Sequence, residues 1–412
     1  LLGADHGLAL DSRPLTAPVQ PAESADLDAW RTLCRGLEAL GERICADDFP
    51  TDPNARAEGF RHILRMMNFA SQWAVEFGDP DFPAFVRTTD DAVMFGGPSA
   101  DNRNLRARVD GNGTYRITGR IGTAFDVLFT ATGGDMALGQ TSVSDERSAS
   151  ELDIGVDGSI ELIVSETEHT GNWLPMAAGT RRIQVRQIFT DWTAQEPGWF
   201  DIERLDRPRL YPLVLTPIRM AEMIGEIGRW VGTSTTYWNE YQRDIRGRLT
   251  PNTIDAPTAQ EGGGLSIRYG FGWWQLEPDE ALVITFAPPN ARYWSLQPYN
   301  VAWFEALDYR NRQTTINSAQ AVVENCLVRV VVSATDPGCA NWLDVTGNRE
   351  GQLILRWIWA DDDAVSIAPE CTVVLVDELL MAATTAARNA PAIDRTTILR
   401  GRRVSVARRH RR

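Results

Sequence analysis

At 412 residues, with 43% hydrophobic and 23% charged side chains, the chain is too long for one hydrophobic core and too apolar to be disordered, so two or more packed units are expected. All 41 basic residues are Arg, and the formal charge of -14 argues against nucleic acid as the main partner, because a phosphate backbone calls for a basic face. No stretch approaches the ~20 apolar residues of a membrane span, and the start has no basic segment followed by an apolar run, which predicts a cytoplasmic protein with no membrane partner.

Leu27, Trp30, Leu33, Cys34, Leu37, Leu40 and Ile44 recur at helical spacing behind a cap at Ser24, and Arg31, Arg35, Glu38 and Glu42 make the charged face. A second helix is expected from about Ala55 to Phe77, with Phe60, Ile63, Leu64, Met67, Trp73 and Phe77 on its apolar stripe, Gly78 as its stop and His62 as a packing residue beside it. Short alternating runs follow, at Thr114 to Gly119, Phe125 to Thr132, Ser159 to Ser165 and Arg182 to Phe189, which read as antiparallel strands. Thr216 and Pro217 announce a third long helix, in which Gly225, Gly228 and Gly232 leave room for a neighbour. Thr250 to Gly264 reads as a linker, and strands resume at Ala281 to Phe286, Arg292 to Gln297, Leu327 to Ser333 and Leu353 to Trp359. Gly262, Gly263 and Gly264 are no phosphate loop, since the chain has no Lys.

The cysteines Cys34, Cys45, Cys326, Cys339 and Cys371 are odd in number and lack CxxC spacing, which fits reduced thiols better than a disulfide framework or a zinc site. Cys34 and Cys45 lie about 16 Å apart along one helix and cannot bridge. The run Arg402, Arg403, Arg408, Arg409, Arg411, Arg412 reads as a solvated end or a latch onto the acidic body.

An internal repeat runs through the strands. Ile163-Val164-Ser165 matches Val331-Val332-Ser333, Asn172-Trp173-Leu174 matches Asn341-Trp342-Leu343, and Arg186-Gln187-Ile188-Phe189 matches Arg356-Trp357-Ile358-Trp359, at a nearly constant offset. Each unit then reads as a strand, a turn in which Asn orders the backbone while Trp plugs the end of a sandwich, and a returning strand. The fold class expected is α+β, mainly β: two tandem antiparallel β-sandwich, jelly-roll-like units with N-terminal and central amphipathic helices. Its divisions are an N-terminal helical segment (1–78), a first sandwich (79–210), a central helix and linker (211–264), a second sandwich (265–380) and an Arg-rich tail (381–412).

Within the second unit, Pro278-Asp279-Glu280-Ala281-Leu282, Arg292-Tyr293-Trp294-Ser295-Leu296, Leu307-Asp308-Tyr309-Arg310-Asn311, Asp336-Pro337-Gly338, Asn341-Trp342-Leu343-Asp344 and Arg349-Glu350-Gly351 stand in order. This run, covering most of Gly270 to Trp359, resembles the bacterial family catalogued as domain of unknown function 1214. The resemblance implies a β-sandwich architecture and no established chemistry. At the position before Arg349, where it implies a His, this chain has Asn348.

The four histidines, His6, His62, His169 and His410, are far apart in sequence, and neither a GxSxG elbow nor a GxGxxG turn is present, so no metal and no cofactor is expected. What remains is a polar cluster in the second unit. Glu305, Asp308, Arg310, Asp344, Arg349 and Glu350 are candidate catalytic groups, since carboxylates beside arginines can have their pKa values pushed apart for general acid-base work. Trp294, Trp303, Tyr309, Asn311, Asn317, Gln320, Trp342 and His169 are candidate substrate contacts. Asp308-Tyr309-Arg310-Asn311 and Asp344 to Glu350 also fit turns held by salt bridges and side-chain caps. Three functions therefore compete: a cofactor-independent isomerase, lyase or hydrolase acting on a small apolar or hydroxylated molecule, a carbohydrate- or lipid-binding sandwich, and a structural subunit of a homo-oligomer.

Overall fold

A computed structural model of the chain describes residues 24–46, 48–140, 143–260, 264–361, 366–386 and 394–410; the expectations for His6, Gly262, Gly263, Arg411 and Arg412 lie outside them. Helix α1 (Ala25–Ala46) and helix α2 (Pro53–Ser71) follow the apolar spacing, and α2 starts on Asp52, whose carboxylate accepts from the backbone N–H groups of Asn54 and Ala55. The buried stripe of α2 is rotated from the one expected. Phe60 and Leu64 are exposed, while His62, Ile63, Met66, Phe69 and Ala70 face inward. The buried face is the one with smaller residues, which Gly59 opens: the Trp303 ring lies where a Cβ at Gly59 would be, 2.4 Å away.

The first unit holds β1 (Val86–Thr89), β2 (Asn102–Arg108), β3 (Tyr115–Gly122), β4 (Asp126–Thr132), β5 (Val143–Ser148), β6 (Ser159–Ser165), β7 (Trp173–Pro175), β8 (Arg182–Ile188) and β9 (Pro197–Arg204). Helix α3 (Pro217–Arg248) follows, capped by the Thr216 hydroxyl, which accepts from Arg219 N–H. Of Gly225, Gly228 and Gly232 only Gly228 sits against a neighbour, with Leu33 of α1 at 3.6 Å from an added Cβ; Gly225 and Gly232 face open space. The second unit holds β10 (Thr253–Ile254), β11 (Thr258–Ala259), β12 (Ile267–Gln275), β13 (Glu280–Phe286), β14 (Ala291–Pro298), β15 (Ile316–Asn317), β16 (Val323–Glu324), β17 (Leu327–Ser333), β18 (Trp342–Asp344), β19 (Glu350–Ala360) and β20 (Glu370–Leu375), then α4 (Val376–Ala386) and α5 (Arg395–Arg409). The Pro- and Thr-rich stretch expected as a linker instead supplies β10 and β11, which pair antiparallel with β12.

The fold is α+β and mainly β, with four sheets among the described residues. In the first unit the sheet β1-β2-β8-β4-β5 packs on β7-β6-β3-β9 around Ile117, Phe129, Leu162, Ile183 and Val185. In the second, β10-β12-β19-β14-β15 packs on β16-β17-β13-β20 around Trp274, Ile284, Val330, Leu353 and Leu355. The strand orders β2-β8-β4 and β12-β19-β14 are the same, as are β7-β6-β3-β9 and β18-β17-β13-β20.

The Asn-Trp-Leu turns also match bond for bond. Trp173 Nε1 donates to Ser165 O and Oγ at 3.2 Å, and Trp342 Nε1 to Ser333 O and Oγ at 3.1 Å. Asn172 Nδ2 donates to the carbonyls of Asp153 and Glu161, and Asn341 Nδ2 to those of Val322 and Arg329. Asn341 is the more buried of the two, so Asn341→Ala is expected to cost about 2 kcal/mol in urea unfolding, because it leaves part-buried carbonyls and the Val322 N–H unpaired. Asn172→Ala costs less, as water reaches its partners. An equal loss at both sites would contradict burial as the cause.

The arginine-rich end is a helix that docks. Arg402 donates to the carbonyls of Tyr309 and Thr315 and lies over the Trp192 ring, and Arg409 bonds Ala100 O and lies over Phe189 and Trp192. No helix among the described residues is long and apolar enough to cross a membrane.

Candidate functional site

The residues singled out in the sequence do not converge on one site. Glu305 is fully buried between His62, whose Nδ1 is 2.8 Å away, and Arg65, and Trp303 stacks on His62 with ring centroids 5.9 Å apart. Asp308 accepts from the Asn311 backbone at 3.0 Å and Arg310 pairs with Asp91 at 2.9 Å, both exposed at a turn. Asp344 accepts from Arg312 and caps Thr346, Arg349 is 73% exposed beside Glu277, and Glu350 pairs with Arg246 at 2.7 Å and accepts from Trp273 Nε1. Trp294 lies in the second core. Trp342 lies under Arg395, Tyr309 against Trp192, and Gln320 donates its backbone N–H to Asn317. His169 is exposed in a turn. For Asp308 to Asn311 and Asp344 to Glu350, the arrangement is that of turns held by ion pairs and caps.

A cavity of about 370 Å³ lies elsewhere, between the outer face of β2-β8-β4-β5 and the outer face of β12-β19. None of the candidates named above lines it. Strand alternation explains its first wall. Ile183 and Val185 of β8 point into the first core, so Arg182, Gln184 and Arg186 point outward, and Arg106, Gln184, Thr130 and Glu146 stand in one row across β2, β8, β4 and β5. The second wall is mostly aromatic and aliphatic: Tyr269 and Phe271 stack at 6.0 Å and 12° beside Ile354 and Ile358, with Arg356 set among them. Trp238, Tyr241 and Ile245 of α3 close one side together with Phe304. Gly96 and Gly97 pass close beneath, both at positive φ; a Cβ on Gly97 would meet the Phe304 ring at 2.3 Å.

The cavity is electropositive. Arg106 and Arg182 both bind Asp135, the former at 2.9 Å. Burial alone would raise the carboxyl of Asp135, but Arg182 and Arg106 hold it below its ordinary 3.8. Burial, then the neighbouring Arg182, pulls Arg106 down to about 9, so it stays a cation at neutral pH. Because the folded pKa of Asp135 is depressed, the stability it contributes is complete above its ordinary 3.8 and is lost as pH falls through the folded value. Asp135→Asn is expected to lower the urea midpoint at neutral pH and to flatten its fall in acid; an unchanged acid profile would contradict the assignment.

Two further guanidiniums pair with no carboxylate among the described residues. Among the described residues Arg186 makes no side-chain ion pair, and its Nη1 is buried without a hydrogen-bond partner. Arg356 is 5% exposed; its Nη2 donates to Gly97 O at 2.7 Å and its plane rests near Tyr269 and Tyr299, yet Nη1 has no partner. Among the described residues the cavity carboxylate without an arginine is Glu146, which accepts from Ser266 Oγ at 2.8 Å and Thr130 Oγ1 at 3.2 Å. Among the described residues no three of His, Cys, Asp or Glu group as a metal ion would require. The sequence carries a signal for this site, since the repeat aligns Arg186 with Arg356, but both residues fit equally well as ordinary strand positions.

These features define a two-sandwich β protein with a cationic chamber between its units. The family model described as protein of unknown function (DUF1214) matches residues 275–362. A crystal structure of an uncharacterised protein from Burkholderia cenocepacia is 33% identical, covering 86% of this chain and 99% of that one, with a TM-score of 0.79. The chain therefore belongs to the DUF1214 family. The VPA0106 protein from Vibrio parahaemolyticus is 14% identical over 83% of this chain and 99% of its own, with a TM-score of 0.45. No curated protein matches the chain.

Proposed function

We propose that the chain binds a small organic anion with a flat apolar body in the chamber between its two sandwiches. The observation that carries this reading is the pair Arg186 and Arg356, each with a buried Nη1 that lacks an acceptor, on opposite walls of the same cavity. A buried donor without a partner costs free energy, and a carboxylate or phosphate oxygen is the acceptor a guanidinium bonds most strongly. Among the described residues, four cavity guanidiniums, Arg106, Arg182, Arg186 and Arg356, face two carboxylates, Asp135 and Glu146, while Arg248 at the rim pairs with Asp244. The stacked Tyr269 and Phe271 offer the apolar surface, and the volume is that of a small-molecule site.

We read the two units as copies of one jelly-roll-like sandwich, which makes Arg186 and Arg356 the same residue used twice. The matching strand orders and turn bonds support that reading. The free thiols fit a reducing cytoplasm.

A second reading, a cofactor-independent enzyme, is favoured by Glu146. It is oriented by two hydroxyls with no guanidinium on it, as a general base beside an anion site would be. The first test is thermal unfolding in the presence of benzoate, phenyl phosphate and the neutral benzyl alcohol. A rise with the two anions and none with the alcohol supports the chamber, whereas a rise with the alcohol alone rejects it. Glu146→Gln separates the readings, as it abolishes turnover while retaining anion binding only if Glu146 moves the proton.

A further inference from the structure

The segment between β9 and α3, continued into the first turn of α3, presents an apolar surface that no part of the described chain covers. Leu210, Tyr211, Leu213, Val214, Leu215 and Ile218 are 57 to 82% exposed, six large apolar side chains within nine residues. Such a run is not a loose loop here. Arg209 at its start bonds Asp79 at 2.7 Å and Asp81 at 2.7 Å, and Arg219 at its end reaches the same Asp79 at 3.5 Å, so one carboxylate ties both feet. Arg207 and Arg209 also lie over the Phe82 ring, at 4.9 and 5.7 Å. Pro208, Pro212 and Pro217 restrict the backbone, and the Thr216 cap fixes the turn into α3.

We propose that loop 210–218 is a self-association surface through which two copies of this chain form a two-fold dimer. At these exposures the loop offers on the order of 800 Å², the share one partner contributes to a standard protein–protein interface. An isologous contact sets this loop against the same loop of the second copy, so each apolar side chain meets another. Its feet carry Arg207, Arg209 and Arg219 together with Asp79 and Asp81, so the acidic excess of the whole chain is not concentrated there. Because the loop is tied and proline-restricted beforehand, little ordering cost opposes association.

The test is sedimentation velocity on the full chain at micromolar concentration, alongside the double variant Leu213→Asp/Val214→Asp. The wild type is expected to sediment as a dimer and the variant as a monomer, with the dissociation constant raised about a hundred-fold or more. Both substituted positions are exposed, and an unchanged near-ultraviolet circular dichroism spectrum establishes that the variant is folded. A wild type that stays monomeric overturns the proposal, as does a variant that still dimerises. Pelleting of the monomeric wild type with phosphatidylcholine vesicles, abolished in the variant, would instead assign the loop to a lipid surface and overturn it equally.

Discussion

Arg356→Gln is expected to abolish the stabilisation of the protein by benzoate, weakening binding by about a hundred-fold or more, since a buried charge-assisted pair is worth roughly 2–5 kcal/mol when one partner is truncated. Gln keeps a donor for the Gly97 carbonyl, so the local turn survives while the free Nη1 is removed. Arg186→Gln is expected to act in the same direction from the opposite wall. Arg310→Gln serves as the control, because Arg310 is exposed beside Asp91 and lines no part of the chamber. Thermal shift and calorimetry with benzoate read all three. Retained binding in both cavity variants would remove the chamber as the anion site, and a loss in Arg310→Gln would point back to the surface cluster.

Asp101→Ala is expected to be the most destabilising single change, at about 3–5 kcal/mol in urea unfolding, because it strips the acceptor from a buried network and leaves buried cations uncompensated. Asp101 is fully buried. It accepts from Trp192 Nε1 at 2.6 Å, Asn317 Nδ2 at 2.9 Å and Tyr293 OH at 2.5 Å, drawing the first unit, the second unit and the segment after β8 to one point. Burial, then the Asp101 charge, pushes the Tyr293 phenol well above its ordinary value, so it stays a donor. Asp101 is also an anion that supports the buried Arg402 and Arg409 of α5. A loss below about 1 kcal/mol would mean that water replaces the carboxylate without penalty.

Much of the fold was legible because one face of each element is apolar at a recognisable period. Thr216 and Pro217 located α3, and the alternation in β4, β6 and β8 placed those strands to within one residue, while β3 runs three residues beyond the expected Gly119, to Gly122. The chamber was not legible for the same reason. Arg182, Gln184 and Arg186 alternate with buried Ile183 and Val185, which in a lone sandwich is the pattern of a water-facing strand. Only the approach of β12 and β19 turns that polar face into a wall, and a period-two pattern carries no record of what lies opposite. Asp308, Arg310, Asp344 and Glu350 misled in the converse way. Their density in sequence reflects turns, where short polar side chains cap backbone groups, rather than a shared pocket. Glu305 differs from them. It is buried with His62 and Arg65 beside Phe304, whose ring lines the chamber, so it is placed to support that wall.

Two turns that make the same bonds with the same side chains also present the folding chain with a choice of partner. Strand β7 bonded to β17, or β18 to β6, would keep the Trp-to-Ser and Asn-to-carbonyl contacts, so the turns themselves do not discriminate native from crossed pairing. Discrimination falls to short sequence distance, which lets each turn find its own unit first, and to cores that differ in volume, such as Tyr115 and Phe129 in one against Trp274 and Trp357 in the other. Crowded refolding, where a neighbouring molecule offers the same strands, is the condition in which this protein is most exposed to strand exchange.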